Sequence, residues 1–181
     1  MWFGKASRSL SKIVLLFAFL NQNTMNERDL KSIKVVYVDD EMSNLTAFKS
    51  NFRRFYTVET FINPTEALEW LDENEAHVVI SDQRMPVMQG TEFLGILYEK
   101  KPDIVRMLLT GYADIKAVID AINVGHVFRY ITKPWHEHDM RTAIESAYEM
   151  YRLKKENAEL LRKLQRINEQ LEFMYRQSIL S

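Results

Sequence analysis

Val35-Val36-Tyr37-Val38 runs directly into Asp39-Asp40, and the arrangement recurs along the chain. Val78-Val79-Ile80-Ser81 precedes Asp82, Ile104 to Leu109 precedes Thr110, and Val127 to Thr132 precedes Lys133. Each run is apolar, of strand length, and closed by a polar or charged residue, as in strands buried on both faces. In an open parallel sheet the ligand crevice lies beyond the carboxyl ends of the strands, so residues just after separate strands converge although distant in sequence. Asp39, Asp40, Asp82, Thr110 and Lys133 together therefore predict an acid pocket. Taken singly, each has a plainer reading as a turn residue, a helix cap or a solvated lysine.

Between these runs lie stretches of helical period, and five strand-helix units from Ile33 onward argue for an α/β, doubly wound parallel sheet. Leu45, Phe48 and Phe52 are helically spaced after the first strand, and Val58 to Ile62 reads as the second. Asn63-Pro64-Thr65-Glu66 opens a helix with Asn63 as cap, Pro64 at the first helical position and Glu66 reaching back. The third strand leads into a loop, Met85 to Gly90, and a helix near Thr91 to Lys100. Ile115, Val118, Ile119 and Ile122 mark another amphipathic helix, and the last strand ends at Lys133-Pro134.

Beyond Trp135 there is no Gly or Pro to the C-terminus, so the fifth predicted helix runs about 40 residues, roughly 60 Å. Met150, Leu153, Asn157, Leu160, Leu164, Ile167, Leu171 and Met174 alternate three and four apart, which is a heptad seam with Asn157 at an a position. A buried Asn there specifies register and a parallel two-stranded state at a cost in stability. The expectation is a coiled-coil homodimer. The alternatives are a seam packed on the chain's own domain or on a different protein, with Tyr151, Leu161, Phe173 and Tyr175 as extra apolar surface off the seam. The organisation expected is a leader over 1–30, a pocket-bearing domain over 31–149 and a coiled-coil tail over 150–181.

A chain of 181 residues with 46% hydrophobic and 27% charged residues fits one globular domain plus an extension. A net charge of -1 gives no general pull toward nucleic acid, and zero cysteines excludes disulfides, thiolate metal sites and cysteine nucleophiles. A cytoplasmic protein is the default expectation. Lys5, Arg8 and Lys12 precede the apolar run Ile13 to Leu20, but the run falls short of the roughly 20 residues that span a bilayer. Asn21-Gln22-Asn23-Thr24 has no small-residue cleavage pattern. Residues 1–24 therefore read as a loose leader or an upstream-extended start before Met25, with an interfacial helix as the lesser alternative.

Three carboxylates in one pocket repel one another and call for a cation, and hard oxygen donors suit magnesium. Asp82 is the expected phosphoryl acceptor, Lys133 a point charge that pairs first with Asp82 and then with the phosphoryl group, and Thr110 a hydroxyl donor to it.

Val-Asp-Asp-Glu at 38 to 41, Ser-Asp-Gln-Arg-Met-Pro at 81 to 86, Leu-Thr-Gly-Tyr at 109 to 112 and Tyr-Ile-Thr-Lys-Pro-Trp at 130 to 135 strongly resemble a two-component response-regulator receiver domain. The resemblance covers about residues 33 to 150. It implies strand order 2-1-3-4-5, phosphoryl transfer to Asp82 from a sensor histidine kinase or phosphotransfer protein, and magnesium held by Asp40, Asp82 and the Arg84 backbone carbonyl, with Asp39 acting largely through water. It also implies a switch in which Thr110 moves toward the phosphoryl group and Tyr130 turns inward, and a cis peptide at Pro134. The fifth helix continues into the seam, so phosphorylation is expected to act on dimer geometry and on a downstream protein partner.

Arg84 has a second reading as a shield for the acyl phosphate. His136 and His138, two apart on a helix, do not face each other, which disfavours a metal pair. The expectation is a signalling protein with no separate catalytic domain, no direct nucleic-acid contact and no membrane span. Competing readings are the receiver of a larger regulator with an enzymatic output and a constitutive coiled-coil adaptor. An aspartyl-nucleophile phosphatase is disfavoured because Asp82-Gln83-Arg84 lacks the Asp-x-Asp spacing.

Overall fold

A computed structural model of the chain describes residues 30–111 and 126–180. The leader expected over residues 1–30, except Leu30, and the amphipathic helix expected around Ile115 to Ile122 lie outside the described residues. The elements are β1 Lys34–Val38, α1 Met42–Phe52, β2 Thr57–Phe61, α2 Pro64–Glu73, β3 Val78–Asp82, α3 Gly90–Lys100, β4 Val105–Thr110, β5 Arg129–Thr132 and α4 Glu137–Leu180. The strands pair in parallel in the order β2-β1-β3-β4-β5. That is the doubly wound, flavodoxin-like order expected.

The strand period of two divides the core into two layers. Val35 and Tyr37 point to the face covered by α1 and α4, where Phe48, Phe52, Met140, Ile144 and Ala147 pack. Val36 and Val38 point to the opposite face, covered by α2 and α3 through Leu71, Phe93, Leu94 and Leu97. β3 and β4 are buried along their whole length, as their unbroken apolar runs require.

Local chemistry explains the helix starts. The Asn63 side chain accepts a hydrogen bond of 2.9 Å from the Thr65 amide, and Pro64 occupies the first helical position of α2. Glu41 is the cap residue of α1, so neither Asp39 nor Asp40 is spent as a helix cap. The Lys133–Pro134 peptide is cis, as expected.

α4 is 44 residues long, about 66 Å at 1.5 Å per residue. Its first part belongs to the core. Met140, Ala143, Ile144 and Ala147 are buried, and Tyr148, Met150 and Tyr151 pack against the same cluster. A last set of contacts reaches Lys155, whose ammonium lies 3.2 Å from Asp103, while the Tyr151 ring stands 4.7 Å from the His77 ring. Tyr151, read from the sequence as surplus surface off the seam, is therefore a docking residue. Past this point the helix leaves the domain: Leu160, Leu164, Ile167, Leu171 and Met174 are all exposed. Packing of the seam on the chain's own domain is met only by Met150. No described helix is long and apolar enough to cross a membrane.

Candidate functional site

β1, β3, β4 and β5 end side by side, and their last residues build the pocket. Asp39 follows β1, Asp82 ends β3, Thr110 ends β4 and Lys133 follows β5. The Lys133 ammonium bridges the two acids: it is 3.0 Å from Asp39 Oδ2 and in closer contact with Asp82 Oδ1. The Lys133 amide donates to the Thr110 carbonyl at 2.9 Å, which ties the strand ends together.

Asp39 is fully buried and lies at the centre of a ring of donors. Its Oδ2 accepts from the Tyr37 hydroxyl at 2.5 Å and from Lys133, and its Oδ1 accepts from the Glu41 amide at 3.0 Å. The Asn44 side-chain amide donates to both oxygens, at 3.0 and 3.2 Å. Burial alone would raise this carboxyl, but the bonds from Tyr37, Asn44, Glu41 and Lys133 outweigh it and hold Asp39 below the usual carboxylate range. Burial would likewise lower Lys133, yet the bonds to Asp82 and Asp39 raise it, so the ammonium stays charged. Burial, and then the bond to Asp39, pushes the Tyr37 hydroxyl far up and keeps it a donor.

The Asp82 side chain accepts from the Arg84 amide at 2.6 Å, which turns the Arg84 backbone around the acceptor. The main chain is held from behind by Gly90. A Cβ on Gly90 would stand 2.1 Å from the Asp82 carbonyl oxygen, so no other residue fits without displacing the acceptor strand. Buried Gln83 secures the intervening loop: its amide nitrogen donates to the Leu109 carbonyl at 2.9 Å, its side-chain oxygen accepts from the Thr91 amide at 3.2 Å, and its carbonyl accepts from the Gly90 amide at 3.0 Å.

Thr110 is buried with its hydroxyl donating to the Gly111 carbonyl at 3.1 Å, whereas the Tyr130 side chain is 40% exposed. Asp40 is half-buried beside the pocket. His136 and His138 are exposed, as expected. Next to the acids lies a cleft of about 490 Å³ lined by Tyr37, Asn44, Ala47, Lys133, Pro134 and Trp135. Trp135 stacks obliquely on Phe52 at 5.7 Å and so fixes the far wall.

The strand-end pocket of this sheet order coincides with a family-level match: the model of the response regulator receiver domain covers residues 35–145. The chain belongs to the response-regulator receiver family. A hydrogenase transcriptional regulatory protein, HoxA of Bradyrhizobium diazoefficiens, is 34% identical over 122 residues, which is 67% of this chain and 25% of HoxA. The response regulator protein TmoT of Ectopseudomonas mendocina is 30% identical over 154 residues, 84% of this chain and 68% of TmoT. A crystal structure of a response regulator receiver domain protein from Clostridium thermocellum is 30% identical with a TM-score of 0.65, covering 67% of this chain and 98% of that one. The chain thus spans about a quarter of the length of HoxA and two thirds of that of TmoT. The receiver is a signalling domain, not a catalytic one.

Sequence reasoning missed Tyr37, Asn44, Gln83 and Gly90. A signal for Tyr37 was present: residues two apart on a strand share a face, so Tyr37 and Asp39 were bound to point the same way. Among the described residues, no group of three or more acids or histidines stands ready as a metal cage; the Lys133 ammonium fills the space between Asp39 and Asp82. The carboxylates at hand are nonetheless the hard oxygens that magnesium prefers.

Proposed function

We propose that this receiver accepts a phosphoryl group on Asp82 from a sensor histidine kinase or phosphotransfer protein and signals by protein contact through its last helix. The observation that carries this reading is the Lys133 bridge between Asp39 and Asp82 at the carboxyl edge of the sheet. An Asp82 carboxylate oxygen attacks phosphorus, the bond from phosphorus to the donor nitrogen breaks, and its electron pair returns to the donor imidazole. Lys133 then moves its charge from the carboxylate to the phosphoryl oxygens. Thr110 trades its bond to the Gly111 carbonyl for one to a phosphoryl oxygen, and the exposed Tyr130 ring turns inward behind it.

Asp40, Asp82 and the Arg84 carbonyl would hold magnesium directly, with Asp39 acting through water. The cation supplies positive charge that offsets repulsion between the acids and the incoming phosphoryl group. Arg84 shields the acyl phosphate, so Arg84→Asn shortens its life; an unchanged rate of phosphate loss rejects that role. The exposed seam from Leu153 to Met174 pairs two copies in a parallel coiled coil, and a downstream protein reads the result. The protein acts in the cytoplasm.

A larger regulator is the second reading, favoured by the observation that the chain matches only 25% of HoxA. In that case the tail carries the signal to an output domain rather than to a separate partner.

The test is incubation with acetyl phosphate and magnesium, followed by intact mass. The expected result is one added phosphoryl group, labile to hydroxylamine as an acyl phosphate is, and absent in Asp82→Asn. Equal labelling of wild type and Asp82→Asn overturns the assignment.

A further inference from the structure

Tyr37 has no assigned part in phosphoryl acceptance, yet it is the residue most closely bound to the pocket's buried acid. Its ring is sealed in the core, 4.4 Å from Phe48, and only 1% of the residue is exposed. A core position of this kind asks for a side chain without a polar tip, because a buried hydroxyl costs free energy unless it is hydrogen-bonded. Here the tip is spent on Asp39 Oδ2 at 2.5 Å.

A carboxylate offers about four lone-pair sites. On Asp39 they meet Tyr37, Lys133, the Glu41 amide and the bridging Asn44 amide. The Glu41 donor is backbone and Lys133 is the group that must move during transfer. Among the described residues, Tyr37 and Asn44 are the side chains that can hold the carboxylate in place when Lys133 departs. The two approach from different elements, β1 and α1, so together they fix both the tilt and the rotation of the carboxylate plane.

We propose that Tyr37 is a positioning residue of the acceptor pocket: with Asn44 it holds the Asp39 carboxylate in one orientation and thereby sets the pocket's affinity for a divalent cation. The inference rests on the phosphoryl-acceptor reading given above. Hydrogen-bond partners that orient metal-binding carboxylates commonly change metal affinity by 10- to 100-fold when removed. The Tyr37 hydroxyl is such a partner, one bond behind an acid that meets the cation through water.

Tyr37→Phe removes one oxygen and leaves the ring against Phe48. Titration of the full chain with magnesium by calorimetry, with no phosphoryl donor present, reads the affinity directly. The dissociation constant is expected to rise roughly ten-fold. Asn44→Ala, a change at a half-buried helix position, is expected to raise it in the same direction. Thermal melting without magnesium is the control: loss of the buried bond to Asp39 lowers the melting temperature under either role, whereas a purely structural role leaves the dissociation constant of the folded protein unchanged.

A dissociation constant within two-fold of wild type in both variants overturns the inference and leaves the phosphoryl-acceptor reading standing, provided the wild type still labels on Asp82. Should Tyr37→Phe fail to fold, Asn44→Ala decides alone. Failure of the wild type to bind magnesium or to take phosphate overturns the reading and the inference together.

Discussion

Phe48 and Leu164 are both large apolar residues at regular helical spacing, yet Phe48 is 0% exposed and Leu164 is 56% exposed. The same sequence signal has met two different environments. In the receiver body, α1 finds a sheet beneath it, and Phe48 touches Tyr37 and Trp135. In the tail, α4 has passed Lys155 and has left the domain behind. Apolar periodicity predicts that a face will be covered; it does not say by what. For the body the cover is the chain itself, whereas the tail carries a stripe of exposed apolar side chains, and such contiguous patches mark interaction surfaces.

The widest separation between the two regions is expected from Asp82→Asn. Phosphoryl acceptance should fall below detection in the acetyl phosphate assay, while helix content by circular dichroism stays that of the wild type. Helix loss alongside would mean that the pocket and the tail are not separable.

Second in size is a matched pair of truncations. Phe48→Ala is expected to destabilise by about 3–5 kcal/mol, since it leaves a cavity in a closed core. Leu164→Ala should move the unfolding of dilute protein by no more than about 0.5 kcal/mol, because it removes no packing there and Ala is a better helix former. Denaturant unfolding at low protein concentration measures both. Equal costs would erase the distinction between a covered and an uncovered face.

Acid should act on the body before it acts on the tail. His77 sits where α4 docks, accepting a hydrogen bond from the Lys34 amide at 3.0 Å, with Tyr148, Tyr151, Lys34, Glu75 and Lys155 around it. Burial, followed by Lys34 and Lys155, lowers its proton affinity. The folded state therefore prefers neutral His77, and the associated stability is present above about pH 6.5 and lost as pH falls below it. Asp39 is depressed too, so its share is present above about pH 3.9 and lost further down. Melting temperature should decline in these two windows, and His77→Phe should flatten the upper one. An unchanged profile in His77→Phe would remove the histidine from the account.

The smallest effect is expected at the exit of the tail. Lys155 and Asp103 form an exposed ion pair, of a kind that contributes about 0–1 kcal/mol. Lys155→Ala should cost no more than that in unfolding and should lose its effect at high salt. A larger, salt-independent loss would place the exit inside the core rather than at its rim.

Much of the body was legible in the sequence, because buried strands announce themselves as Val-Val-Tyr-Val and Val-Val-Ile-Ser and the acids follow them. The helix of α2 was legible in its Asn-Pro start, and α4 in its lack of any breaker. What escaped was side-chain partnership. Tyr37 read as part of an apolar strand run because its ring is buried there, and Asn44 carried no signal of its own; their bonds to Asp39 depend on the distance between β1 and the first turn of α1. Tyr151 read as tail surface because heptad counting starts from the seam and does not see His77, which comes from a connection distant in sequence. The exposure of Tyr130 was not fixed by sequence, since it lies on β5, the last strand of the sheet order, where the apolar run alone does not say which residues are covered.

The central claim is that the pocket around Asp82 governs the exposed helix that leaves the body. Light scattering coupled to chromatography tests it most directly, using the full chain with magnesium, with and without beryllofluoride as a phosphoryl mimic, beside Asp82→Asn. The account predicts a change of molecular mass or of dimer dissociation in the wild type on adding beryllofluoride, and none in Asp82→Asn. The same mass in every condition, or an equal shift in wild type and Asp82→Asn, contradicts it.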